Sequence, residues 1–242
     1  MTAGRQAFVG IALAAGIALA WAALHIWSVF RQPLEGPALL AAPPLVALLC
    51  WLNVGLFIVA HDAMHGSLAP GRPAVNRWTG RIALALYAGF SFDRLLRKHH
   101  AHHRNPGTAD DPDFSVSHPS GFWRWYAAFF AQYFGMRELL VLTALSGFYL
   151  LVLGASYANL LVFWALPAIL SSLQLFLFGT YLPHRHSGGS FADEHRARSN
   201  DLGWLASLLT CFHFGYHHEH HRSPGTPWWR LPQARIRSAP TR

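Results

Sequence analysis

Histidine is the residue whose type and spacing first point to chemistry. The chain has sixteen histidines in 242 residues, and most fall into four clusters. In the first, His61 and His65 stand at i, i+4, which puts both imidazoles on one face of a helix. The second holds His99, His100, His102 and His103, and the fourth holds His217, His218, His220 and His221. These are the same pattern, two histidine pairs around one residue, far apart in the chain. The third centres on His184, with His186 two residues on. Imidazole nitrogen suits borderline metals such as iron and zinc, and histidines at i, i+3 and i+4 turn three donors to one side of a helix. A solvated basic run would explain one such cluster, but not the repetition.

Helical periodicity alone does not choose the ligands within the repeated pattern. His99, His102 and His103 cover the same arc as His99, His100 and His103, and the last cluster carries the same ambiguity. Eight to ten imidazoles gathered at one place are too many for a single ion, so a two-metal centre is expected. Iron is favoured over zinc, because a redox-active metal with open positions can activate oxygen, whereas structural zinc is normally four-coordinate and closed. Cys50 and Cys211 lie in apolar surroundings with no paired spacing, so both read as packing residues and iron–sulfur ligation is excluded. Metal-bound histidines usually pass their second nitrogen to a carboxylate or carbonyl. Asp62, Asp110, Asp111, Asp113 and Glu219 are the candidates for that supporting role, with helix capping and pairing to arginines such as Arg104 as the structural alternative. None of the five reads as a primary ligand.

The elements that must position these clusters are membrane helices. A chain that is 52% hydrophobic and 12% charged is more apolar than a soluble domain. Its net charge of +8 is scattered between apolar runs, a distribution that fits anionic lipid headgroups and not a nucleic-acid face. Four stretches approach the length of a bilayer span: 9–29, 37–60, 138–154 and 158–181. Short links close them into two hairpins, so the histidine clusters and nearly all the arginines share one side. The positive-inside rule makes 61–137 and 182–242 cytoplasmic. The N-terminal run, which follows Arg5 and lacks a small-residue cleavage site, reads as a retained first helix. Gly80–Phe92, Gly121–Phe134 and Leu202–Phe212 read as interfacial helices. The expected fold is therefore an all-α membrane protein, one integral-membrane domain over 1–242, with four transmembrane helices in two hairpins. A cytoplasmic helical cap carries the histidine boxes, and the protein sits as a multi-pass chain in a bacterial inner membrane.

With these residues in place, the sequence resembles the membrane fatty-acid desaturase and hydroxylase superfamily, whose histidine boxes bind a diiron centre. The boxes match as His61 and His65, then His99, His102 and His103, then His217, His220 and His221, with His184 in the place of the additional late histidine. The resemblance thus implies a ligand set that periodicity left open, and it leaves His100, His186 and His218 outside that set. His213 receives no role. Within the superfamily the likeness extends over nearly the whole chain to the bacterial β-carotene ketolases. It is carried by Gly55–Gly66, Leu86–Phe90, Gly107–Phe114, Phe178–Arg185, Leu208–Gly215 and Pro227–Pro232.

That resemblance implies oxidation of C4 and C4′ on β-ionone rings, from β-carotene through echinenone to canthaxanthin, with zeaxanthin towards astaxanthin as a related conversion. The implied chemistry is two hydroxylations at one allylic carbon followed by loss of water, with two iron ions as cofactor and O2 as co-substrate. The chain has no flavin or nicotinamide fingerprint, so electrons are expected from an external donor such as ferredoxin, docking on the basic face. The substrate is expected to enter from membrane lipid along the apolar faces of 52–57, 86–92 and 173–178. A lipid desaturase or hydroxylase with the same centre is the enzymatic alternative. A metal transporter fits less well, because transport ligands lie near the bilayer midplane. A haem carrier would need axial histidine pairs within the spans, and only His25 lies well inside one.

Overall fold

The structure, a computed structural model, describes residues 1–186 and 189–238, the last two by their backbone alone. Ser187, Gly188 and 239–242 of the expected cytoplasmic tail lie outside the described residues. Among the described residues the architecture is helical throughout. Helix α1 (Ala3–Arg31) begins at Thr2, whose hydroxyl accepts from the Arg5 backbone N–H, and ends on Arg31, a cation suited to a helix C-terminus. Helix α2 (Gly36–Met64) opens with a tight 3-10 turn over Gly36–Ala41, and Pro43 and Pro44 occupy its first α-helical turn, where no N–H is needed.

The two helices run antiparallel, and buried polar contacts pin them at one end and near the middle. Trp21 donates its indole N–H to the Asn53 carbonyl at 2.7 Å. Gln6 donates to the Ser67 carbonyl at 2.7 Å. The close approach of Gly10 to the Leu68 carbonyl leaves no room there for a Cβ. Helix α2 lies in the middle of the molecule, its apolar side chains shared between two core clusters that also draw on α1 and the helices that follow.

Helix α3 is Pro73–Ala88 and α4 is Phe92–Arg104. The expected interfacial helix over Gly80–Phe92 is thus displaced towards the N-terminus. Pro73 supplies a ready-made first helical residue, and Gly89, at φ 68°, ends α3 in a left-handed cap. Helix α5 (Phe122–Tyr133) and α6 (Met136–Leu151) meet at a bend of 77°. The break is capped by the Gly135 N–H donating to Glu138 at 3.1 Å. The expected third span, 138–154, falls on α6 and the turn that follows it, and is one arm of this bent pair. Sixteen residues of α6 rise only about 24 Å at 1.5 Å per residue, short of a roughly 30 Å hydrocarbon core. Three helices, Ala3–Arg31, Gly36–Met64 and Tyr157–His184, are long and apolar enough to cross a membrane, and the bent pair makes up to four.

Tyr157–His184, here α7, is continuous but widens to π-type turns at Leu161–Ala165 and Leu177–Tyr181. A helical proline clashes with the carbonyl four residues back. For Pro167 and Pro183 those carbonyls belong to Phe163 and Gly179, one inside each widened turn. Short helices α8 (Trp204–Cys211) and α9 (His217–Arg222), a 3-10 turn at Trp228–Arg230 and α10 (Leu231–Ser238) complete the fold.

Candidate metal centre

The histidines are delivered by the ends of α2, α4, α7 and α9. Helix α4 is capped by Ser91, carries Asp93 in its first turn, and is polar on one face. Along it Leu95 and His102 are buried and His99 and His103 half-buried, whereas Arg97, His100 and Arg104 are exposed. Two consecutive left-handed residues, Phe212 at φ 49° and His213 at φ 62°, turn the chain from α8 into α9. Each such non-glycine conformation costs roughly 1–2 kcal/mol. Packing holds it here: Phe212 stacks on Trp51 with ring centres 4.5 Å apart, and the His213 N–H donates to the Ser207 carbonyl. His213 is buried against Trp204 and Tyr216, away from the other clusters.

Nine histidines converge in two adjoining groups. His61, His65, His99, His103 and His220 form one, and His102, His184, His217 and His221 the other, with the ligand atoms within each group no more than 4.8 Å apart. The groups touch where the rings of His103 and His221 stack at 4.2 Å. Each repeated box therefore serves both groups, because its i+3 and i+4 histidines diverge around the helix. These nine are the residues singled out from the sequence as metal ligands. His100 instead lies at the surface, His186 is exposed beside Phe114, and His218 faces Asp193 at 2.8 Å.

Within the groups the Nε2 atoms face one another. His61 and His220 approach at 3.1 Å, His103 and His220 at 3.0 Å, His102 and His221 at 3.2 Å, and His217 lies 3.0 Å from both His184 and His221. His65 and His99 are closer, at 2.6 Å. Two nitrogens at right angles about 2.1 Å from one ion lie about 3.0 Å apart, so these spacings fit donors sharing an ion. Outer partners fix two of the tautomers. His102 donates from Nδ1 to the Asp111 carboxylate at 2.9 Å, and His184 donates from Nδ1 to the Arg196 carbonyl at 2.8 Å. Both therefore turn an unprotonated Nε2 inward, which is what a metal ligand requires.

Electrostatics keep most of the cluster neutral. Burial, reinforced by neighbouring imidazoles, holds His65, His99, His217, His220 and His221 well below the ordinary histidine range, and pushes His103 to about 2. His102 differs. Burial opposes its charge, but the hydrogen bond to Asp111 and the field of Asp113 outweigh that and raise it. Nine nitrogen donors, with oxygen ligands only at the margin, suit iron better than a hard cation.

The carboxylates divide sharply. Asp111 is buried on His102 and also accepts from the Gly107 N–H. Asp113 comes within 3.8 Å of His102 and accepts from the Tyr133 hydroxyl. Asp62 lies 3.5 Å from His61 Nδ1 and accepts from the Trp228 N–H, tying the first box to the chain beyond the last. Two candidates need correction. Asp110 is exposed at the tip of its turn, away from the histidines. Glu219 is buried but, two residues from His217, points to the other side of α9, where it meets Ser199 and Arg235.

An apolar cavity opens onto both groups, touching His61, His99, His102 and His217. Phe57, Tyr87, Phe90 and Leu175 line it, from the three apolar stretches anticipated in the sequence. Phe129, Phe130, Tyr133 and Phe134 of the α5 end add a wall that sequence reasoning missed, as it did Phe214, whose ring edges onto His61 at 4.5 Å and His217 at 4.8 Å. The signal for the α5 wall was present as four aromatics in six residues, but it reads equally well as an interfacial anchor.

Comparison with known proteins places this geometry in a family. The profile of the fatty acid desaturase family matches residues 36–146 and 136–241. A protein named beta-carotene ketolase from one Paracoccus sp. strain is 50% identical over 94% of this chain and 92% of its own length. Another, from a second Paracoccus sp. strain, is 52% identical over 92% of this chain and 90% of its own. A beta-carotene ketolase of Haematococcus lacustris is 43% identical over 76% of this chain and 59% of its own length. No solved structure matches the chain.

Proposed function

The chain belongs to the fatty acid desaturase family, and on that premise we propose that it is an oxygen-dependent carotenoid ketolase acting at C4 and C4′ of β-ionone rings. The observation that carries the reading is the convergence of nine histidines, in two adjoining groups, on an apolar cavity of a chain half identical to proteins named for this reaction. The proposed conversions run from β-carotene through echinenone to canthaxanthin, and from zeaxanthin towards astaxanthin.

Two iron ions, one in each group, would supply oxygen activation and the oxidising power to replace an allylic hydrogen by hydroxyl, which zinc lacks. In stoichiometry each hydroxylation uses one oxygen molecule, two electrons and two protons and releases one water. A second hydroxylation at the same carbon gives a geminal diol, which loses water to leave the ketone. The protein's part is to hold, orient and exclude. Asp111 fixes the His102 tautomer, the Arg196 carbonyl fixes that of His184, and Asp62 braces the first box against Trp228. Phe57, Phe90, Phe130 and Leu175 offer a ring-sized apolar wall that displaces water. Tyr133, donating to Asp113, places a protic pair at the border of the cavity.

The same reading takes the chain as one integral-membrane unit of two helix hairpins, with the centre on the cytoplasmic side of a bacterial inner membrane. The substrate enters from the lipid and electrons arrive from a separate protein. The test is pigment analysis after expression in bacteria that accumulate β-carotene. Echinenone and canthaxanthin should appear with the intact chain and vanish with His102→Ala. Unchanged β-carotene from a membrane-inserted, iron-loaded protein would defeat the reading, and altered membrane lipids would point to a desaturase.

A further inference from the structure

The two histidine groups differ in their access to solvent. All four members of the His102 group are buried, whereas His65, His99 and His103 of the other group are only half-buried. The substrate cavity does not reach His65 or His103. His65 instead borders a second, open hollow with Gly66, Arg77 and Trp78. His100 stands beside it, exposed, with Nε2 3.3 Å from the Met64 carbonyl and its ring 6.0 Å from that of His65. On this side the shell over the centre is about one side chain thick.

The charge on that thin shell is mainly positive, with Asp93 at its N-terminal edge. Arg97, His100 and Arg104 are spaced three and four residues apart along α4, on one face, and all three are exposed. Arg77 and Arg81 bind Asp93, which also lies in the field of Arg97, and Arg94 binds Glu138, so among the described residues Asp93 is shared by three arginines and no carboxylate forms an ion pair with Arg97 or Arg104. Unspent positive charge beside partly exposed ligands is what would steer a negatively charged partner to the shortest route to the centre. The proposed reaction needs such a partner, since each hydroxylation takes up two electrons and two protons that the substrate does not provide.

We propose that the exposed face of α4 around Arg97, His100 and Arg104, with the adjoining hollow at His65, is the docking surface for an acidic, water-soluble one-electron carrier. Two successive carriers, each oxidised by one electron, serve one hydroxylation. This inference rests on the ketolase reading above, because only an oxygenase without its own reductase requires the carrier.

The experiment uses the full chain in nanodiscs of neutral phosphatidylcholine, with an acidic iron–sulfur protein of the ferredoxin type as probe. Binding should weaken as salt rises, and Arg97→Glu and Arg104→Glu should each weaken it at low salt by about tenfold or more. Arg124→Glu, on the exposed side of α5, should not. The 4-hydroxylated carotenoid formed in one oxygen pulse after chemical reduction, the product of a single hydroxylation, should stay at the wild-type level in all three variants, which separates docking from folding and chemistry. Carrier binding unaffected by the α4 reversals, or lost equally with Arg124→Glu, would overturn the docking surface. So would variants that change only the response to vesicles containing anionic lipid, which would make the patch a headgroup site. A wild-type chain that forms no 4-hydroxylated carotenoid in the pulse would instead bring down the ketolase reading itself.

Discussion

His102 is gripped from both ends of its ring, by Asp111 at Nδ1 and by its own group at Nε2. Removing the charge behind a ligand histidine typically costs 10–100-fold in metal affinity or activity. Asp111→Asn should therefore retain its iron against a chelator about 10–100-fold less well than the wild type, whereas Asp110→Asn, on the exposed tip of the same turn, should behave as wild type. Metal analysis after timed chelator exposure distinguishes the two, and equal losses would show that the turn and not the His102 contact matters. His100→Ala and His218→Ala should likewise keep the iron that His99→Ala and His217→Ala lose. At this scale the sequence was legible in part. Spacing identified the boxes, but His99, His100, His102 and His103 are nearly symmetric on a helical wheel. Which of them faces inward depends on where α4 lies against α2, and no local pattern encodes that.

Among the elements, α9 is too short to hold itself and is set by what surrounds it. Arg235 of α10 reaches Glu219 at 3.0 Å, and Ser199 donates to the same carboxylate. Arg235→Ala would leave Glu219 buried with its charge unmatched, at about 2 kcal/mol for a charged hydrogen bond lost. A lower melting temperature in detergent, with partial recovery in Arg235→Lys, is the expected result. Helix α7 approaches through Gly179, where a Cβ would stand 2.7 Å from the Phe214 ring, itself packed on His61 and His217. Gly179→Ala should thus reduce ketone formation several-fold at unchanged protein level, and normal pigment conversion would show that Phe214 has room to move. The limits of the long helices could be read from their apolar runs. The bend between α5 and α6 and the widened turns of α7 could not, since both arise from chain geometry at Gly135, Pro167 and Pro183 that hydropathy does not register.

Across the whole molecule, three long apolar helices and one bent pair bring four sequence-distant clusters to one end, while Asn159 ties the other end through buried donations to the carbonyls of Ser28, Val29 and Gln32. Breaking the far end should loosen the bundle without touching the chemistry. Asn159→Leu removes donations to the carbonyls of Ser28, Val29 and Gln32, and should lower the melting temperature while leaving the iron content of the folded fraction intact. The central claim is that the nine converging histidines are a two-iron centre. The measurement that reaches it most directly is quantitative metal analysis of the purified, catalytically active chain. Two irons per chain, falling towards zero with loss of ketone formation in His220→Ala, is the result expected. One metal per chain, or full activity with zinc in place of iron, would contradict it.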